Sequence, residues 1–160
     1  THGGMAICFD ENDVRSMGRD AVGVRGIRLR DGDHVAGAGI ADAGLTLLSI
    51  TENGYGKRTE VGEYTVQNRG GMGLKNYNIT EKTGNVADVK VVSGSDDLLV
   101  IADDGTIIRM DIASISVLGR STQGVRVMRL NGEAKVISIA LTDKEESEEA
   151  AETETETTEE

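Results

Sequence analysis

The chain contains no proline and no tryptophan, one phenylalanine, three tyrosines, one cysteine and two histidines. Each scarcity removes a class of explanation. A lone Cys8 cannot build a disulfide framework, and it fits a chain kept in a reducing cytosol. No apolar run approaches the roughly 18 residues of a membrane span, and no signal-peptide pattern is present. With so few aromatics, the core must be built from Val, Ile, Leu and Ala. Catalytic chemistry is equally thin. His2 and His34 have no metal-type partner at a sensible spacing. Asp103-Asp104 reads as a turn, Cys8 as a small core residue in an apolar run, and Tyr55, Tyr64 and Tyr77 as strand residues.

What the chain does have is internal repetition. Gly18 to Leu29, GRDAVGVRGIRL, returns as Gly119 to Leu130, GRSTQGVRVMRL. A weaker copy lies between them, where Arg69, Gly73, Lys75 and Ile79 take the slots of Arg19, Gly23, Arg25 and Leu29. Gly4, Gly54 and Gly105 keep the same period of about 50 residues. The expected organisation is three units, about 1–42, 43–93 and 94–143, sharing cores with their neighbours, followed by a disordered acidic tail, 144–160. The first unit has only Thr1, His2 and Gly3 where the others carry a leading apolar stretch. It reads as the interior of a longer array.

The tail, KEESEEAAETETETTEE, holds nine Glu and one Lys and no large apolar residue. It cannot bury enough surface to offset its ordering entropy. Two readings of it stand: a solubilising end, or an internal mimic of a polyanion. Most of the chain's net charge of −11 lies there. The body carries 16 Lys and Arg against 19 Asp and Glu, and eleven of those cations are Arg. For a polyanionic partner, where they point matters more than the sum.

Strand signals dominate the body. Short aliphatic runs at Met5–Phe9, Val22–Leu29, Val35–Ile40, Leu45–Ile50, Leu98–Ala102 and Lys135–Leu141 are bounded by turn residues. Glu52-Asn53-Gly54 and Asp103-Asp104-Gly105 supply the positive φ of tight hairpins. A bulge at Gly26 would let Arg28 and Arg30 share a face. Helix is confined to a turn at Asp13–Met17 and at Asp111–Leu118. Four short strands per repeat predict an all-β, propeller-like or solenoid array.

GYGKRTEVGEYTVQNRGGMGLK, then IADDGTIIRMDIASISVLGRSTQGVRVMRL, then a glutamate-rich end, resembles the carboxy-terminal domain of bacterial DNA gyrase A subunits. The resemblance covers about residues 4–143. It implies an all-β pinwheel of four-stranded antiparallel blades that exchange a strand, with about three blades in this chain. It further implies duplex DNA wrapped around the perimeter in support of negative supercoiling. The partners would be the rest of gyrase A and gyrase B in an A2B2 enzyme near the nucleoid. ATP and Mg would serve that whole enzyme, and this chain would hold no cofactor, no metal and no catalytic residue. Topoisomerase IV subunits share the fold and are the alternative, together with a protein-interaction module. The family's QRRGGKG box is absent. Gln67-Asn68-Arg69-Gly70-Gly71-Met72-Gly73 is its degenerate echo.

Arg and Lys that neutralise phosphates release counterions and bind duplexes without sequence preference. The expected contacts are Arg15, Arg19, Arg25, Arg28, Arg30, Lys57, Arg58, Arg69, Lys75, Arg109, Arg120, Arg126 and Arg129. Cys8 stands where sister repeats have Arg58 and Arg109, so one phosphate contact is expected to be lost there. The argument for this set is recurrence in register, since local charge pairing alone would not demand the same slot each time. The exposed blade edges of such an array also leave two chains able to join edge to edge.

Overall fold

A computed structural model describes residues 1–144. Apart from Lys144, the acidic tail lies outside the described residues. Nine strands run in chain order: β1 (Met5–Ala6), β2 (Thr46–Thr51), β3 (Tyr55–Glu60), β4 (Leu74–Lys75), β5 (Val86–Val92), β6 (Asp97–Ala102), β7 (Ile107–Asp111), β8 (Val125–Arg126) and β9 (Val136–Thr142). Among the described residues there is no α-helix, only three one-turn 3-10 segments. The architecture is all-β, with antiparallel sheets throughout.

The expected hairpins form. Asn53-Gly54 joins β2 to β3, and Asp104-Gly105 joins β6 to β7, with φ of 76° and 83° at the glycines. Asp104 closes the second turn, its carboxylate accepting from the Thr106 N–H at 2.9 Å. β5 and β9 then pair with the free edges of β2 and β6. Each ladder slips by a residue, at Ile50/Thr51 and at Ile101/Ala102. The slip switches side-chain parity, so that Val136 and Ile139 of β9 both reach the core. That core is aliphatic, as composition requires: Leu48, Ile50, Leu98, Val100, Ile112 and Ile115 anchor it, and β5 packs on β9 at its inner side.

Two of the three sheets combine strands from neighbouring repeats. The middle sheet runs β5-β2-β3-β8, and β8 comes from the following repeat. β4 likewise leaves the middle repeat to pair with β1. The joint has a fixed form. Gly54 gives its carbonyl to the N–H groups of both Val127 and Met128, at 2.8 and 3.0 Å. One repeat earlier, Gly4 does the same for Asn76 and Tyr77, at 2.8 and 3.0 Å. Gly124, at φ 70°, then lies over the Gly56 carbonyl, where a Cβ would stand 2.5 Å from the oxygen.

Three strand expectations are corrected. Val22–Leu29 is not a strand, and it touches the next repeat only through isolated bonds such as Arg28 N–H to Gly71 O at 2.8 Å. The bulge expected at Gly26 therefore has no ladder to interrupt. Val35–Ile40 is not a strand either. Its counterparts β5 and β9 pair with leading strands β2 and β6, and only Thr1–Gly3 occupies that slot here. Met5–Phe9 shrinks to Met5–Ala6 plus a bridge from Cys8 to Val66. The helical turns fall at Glu11–Asp13, just ahead of its expected place, at Ile112–Ser114, within its expected stretch, and at Val61–Glu63, where none was expected. Asp10 and Asp111 cap two of them, each accepting a backbone N–H at 2.8 Å.

The joint makes a stability test. Gly124→Ala places a Cβ against the Gly56 carbonyl at a positive φ, and should lower unfolding free energy by about 2–4 kcal/mol in urea titration. Gly18→Ala, whose Cβ meets nothing within 4 Å, should stay within about 0.5 kcal/mol of the parent.

Candidate nucleic-acid interface

The recurring cations separate into two groups that the sequence does not distinguish. The first group is spent on backbone. Lys57 is fully buried, and its ammonium donates to the carbonyls of Gly119 and Arg120 at 2.7 and 2.6 Å, 5.2 Å from the Tyr77 ring. Burial pushes its pKa down to about 8. Arg58 donates through Nε to Ile115 O at 2.8 Å and through Nη2 to Ala113 O at 3.2 Å. Arg120 reaches back to Lys75 O at 3.0 Å. Arg69 makes the equivalent bond to Arg25 O, one repeat earlier, and a second to Asp13 O at 3.3 Å. Arg109 pairs with Asp97 at 2.8 Å and donates to Asp143 O at 2.8 Å.

These bonds change the meaning of the register. Arg69 and Arg120 recur because each staples its loop to the same carbonyl of the preceding repeat. That is a structural reason for one slot per repeat, and recurrence alone therefore does not mark a phosphate contact. Lys57 is a correction to the expected set, since a buried ammonium held by two carbonyls does not reach a phosphate. Cys8 is a second correction. In the Arg58 slot it forgoes a staple between repeats, while its carbonyl still accepts from Gln67 N–H at 2.8 Å.

The second group faces solvent. Arg15, Arg19, Arg25, Arg28, Arg30 and Arg129 are exposed. Among the described residues their guanidinium groups make no hydrogen bond or ion pair. Lys75 and Arg126 are also exposed, and they occupy matching places. Lys75 lies on β4 opposite Met5, and Arg126 lies on β8 opposite Tyr55. β8 is the strand of its sheet farthest from the inner β5. The slot shared by Arg25, Lys75 and Arg126 is thus on the outer edge in the two repeats where that edge is paired.

Two shallow clefts open at these places. One, of about 310 Å³, is lined by Asn53, Tyr55, Lys82, Arg126, Met128 and Arg129. The other, of about 330 Å³, is lined by Gly3, Met5, Arg30, Lys75, Tyr77 and Ile79. Asn53, Tyr55, Arg126 and Met128 correspond through the repeat to Gly3, Met5, Lys75 and Tyr77. In the first cleft Arg126 donates to Tyr55 Oη at 2.8 Å, and this bond holds the phenol below its ordinary range. Lys82 stands 5.3 Å from the same ring. A cleft walled by two or three cations with an aromatic floor suits an oxyanion. Lys82 and Tyr55 are absent from the expected set. Lys82 has no cation in the matching slots, Gly32 and Glu133, so recurrence could not have found it.

The buried lysine can be checked by linkage. Above pH 8 and up to its ordinary value of 10.5, folded Lys57 has released a proton that the unfolded chain still holds. The unfolded state binds more protons there, so this residue's contribution to stability rises with pH. The urea midpoint of the parent should therefore climb relative to that of Lys57→Met across that window. A difference that ignores pH would contradict the burial.

Comparisons with known proteins agree with this architecture. The family model described as the DNA gyrase C-terminal domain, beta-propeller, matches residues 1–42, 46–93 and 96–143. The DNA gyrase A protein of Staphylococcus aureus strain MRSA252 is 46% identical over 145 residues, spanning 89% of this chain and 16% of that protein. Its counterpart in strain NCTC 8325 / PS 47 is 47% identical over 144 residues, with the same shares. The chain thus spans about one sixth of the length of the curated relatives it matches. A solved gyrase A C-terminal domain superposes with a TM-score of 0.74 at 27% identity, covering 88% of this chain and 48% of that one. The C-terminal domain of a DNA topoisomerase IV shares the fold, with a TM-score of 0.82 at 23% identity over 89% of this chain and 45% of that one. With three consecutive segments matched and strands exchanged between them, the chain belongs to the DNA gyrase C-terminal domain family, a β-pinwheel.

Proposed function

We propose that this chain binds duplex DNA without sequence preference and bends it along an outer rim of exposed cations, in support of supercoiling by a gyrase. The observation that carries the reading is the matched pair of clefts at successive joints, each with a cation of the Lys75/Arg126 slot. A DNA path needs the same grip renewed at each blade, because the phosphates it follows are evenly spaced. The grip residues are Arg15, Arg19, Arg25, Arg28, Arg30, Lys75, Arg126 and Arg129, joined by Lys82. Arg58, Arg69, Arg109 and Arg120 serve the frame that holds this rim in place. The partners are the remainder of gyrase A and gyrase B, and strand cleavage and ATP use belong to them. Identity to gyrase A proteins over nearly the whole chain favours gyrase over topoisomerase IV, whose likeness here is one of fold.

A salt-titrated duplex-binding assay tests this. Log affinity should fall linearly with log salt, and Lys75→Ala and Arg129→Ala should each reduce the slope by about 0.9. Arg58→Ala should lower the unfolding midpoint and leave the slope intact. A parent affinity that ignores salt would favour a protein-interaction module.

A further inference from the structure

The outer edge of each joint carries more than its cation. In the middle sheet, Arg126 stands opposite Tyr55 and Val125 opposite Gly56. Farther along β3, Val117 bridges to Arg58. The first sheet repeats the arrangement, with Lys75 opposite Met5, Leu74 opposite Ala6 and Val66 bridged to Cys8. Positions 55 and 58 are three residues apart, so a cation and a valine share one edge at a backbone separation of roughly 10 Å.

The fold itself does not need these valines to be apolar. Val66 is 63% exposed, Val117 44% and Val125 39%, and none of them belongs to the aliphatic core. The bridges are made by backbone: Gln67 N–H donates to Cys8 O at 2.8 Å, Arg58 N–H to Ser116 O at 3.0 Å, and Leu118 N–H to Arg58 O at 2.8 Å. Such bonds ask nothing of the side chain, and repeat one carries Ser16 in the slot of Val66 and Val117. Val117 and Val125 lie on the sheet that has a matched repeat on either side within this chain, and they stay exposed with both neighbours in place.

We propose that Val66 and Val117, with Val125 beside the second, lie against the deoxyribose walls of duplex DNA and supply a part of the grip that salt does not weaken. The proposal rests on the reading of the rim as a duplex-binding surface, and it fills the space between the phosphates. On the inner side of a bent duplex, the stretch from one gripped phosphate to the next presents sugar C–H groups and the groove edge. An apolar side chain set there removes both surfaces from water. The edge has that order, with Lys75 or Arg126 at the phosphate and a valine farther along. Contacts to sugar carry no base identity, so binding stays indifferent to sequence. A protein partner seated on the same edge would have to desolvate Lys75 or Arg126 as well, which favours a polyanion as the occupant.

Duplex binding by the full chain, titrated with salt and repeated on inorganic polyphosphate, tests this. Val66→Ser with Val117→Ser should weaken duplex binding about tenfold at every salt concentration, displacing the line of log affinity against log salt without changing its slope. Inorganic polyphosphate carries the charge without the sugar, and its affinity should be the same for this variant as for the parent. Val66→Leu with Val117→Leu should tighten duplex binding by about threefold, again at constant slope. Both variants should keep the parent's urea midpoint, because the sites are exposed. Coincident duplex lines for the parent and the serine variant overturn the proposal and leave the phosphate grip standing. A changed slope, or an equal loss on polyphosphate, overturns it by tracing the effect to the cations. A parent that binds no duplex at any salt overturns both this proposal and the reading beneath it.

Discussion

The structure depends on a loan of backbone between neighbouring repeats. A β-sheet edge left open exposes a row of unpaired donors and acceptors. Here the sheet of the middle repeat is closed by two residues, Val125-Arg126, that belong to the next. So short a strand contributes little by itself. It is held by the carbonyl of Gly54 taking two N–H groups, by the fit of Gly124 over Gly56, and by Tyr77 Oη donating to Gln123 O at 2.8 Å. Position along the chain thereby becomes position around the array, and every feature fixed to the outer strand recurs once per joint.

That recurrence explains why the cations fall into two groups. A guanidinium aimed at backbone carbonyls satisfies acceptors that the missing ladder would otherwise leave open, and hydrogen bonds from charged donors are the stronger kind. Arg58, Arg69 and Arg120 act so, and Lys57 does it from a buried position. The cations one strand further out have solvent in front of them. The two groups differ in whether the cation meets a backbone carbonyl or solvent. Repeat one, with Cys8 in the Arg58 slot, lacks one such staple, and among the described residues it also holds five of the six unpartnered exposed arginines.

Much of this was legible in the chain. The Gly4, Gly54 and Gly105 period, the Asn-Gly and Asp-Gly hairpins and the aliphatic composition all point to repeated antiparallel sheets, and those sheets are present. Two things were hidden. Strand identity depends on partners: Val35–Ile40 takes the repeat slot of β5 yet forms no ladder, because pairing is a property of two segments. Side-chain direction is hidden as well. Arg58 lies in β3 and Arg126 in β8, and only the structure shows that one turns inward to Ile115 O while the other lies over Tyr55. Recurrence in register detects a shared role without saying which. Lys82 escaped for the opposite reason, being the cation of its cleft that has no sister.

The claim that most needs trial is the division of arginines into frame and grip. Phenylglyoxal modification of the chain, with and without duplex DNA, mapped residue by residue by mass spectrometry, reads it directly. Arg25, Arg28, Arg30 and Arg129 should react in the free chain and be protected by DNA, while Arg58 and Arg120 should stay slow in both and react only on unfolding. Protection spread evenly over all of them, or absent from the exposed set, would contradict the account.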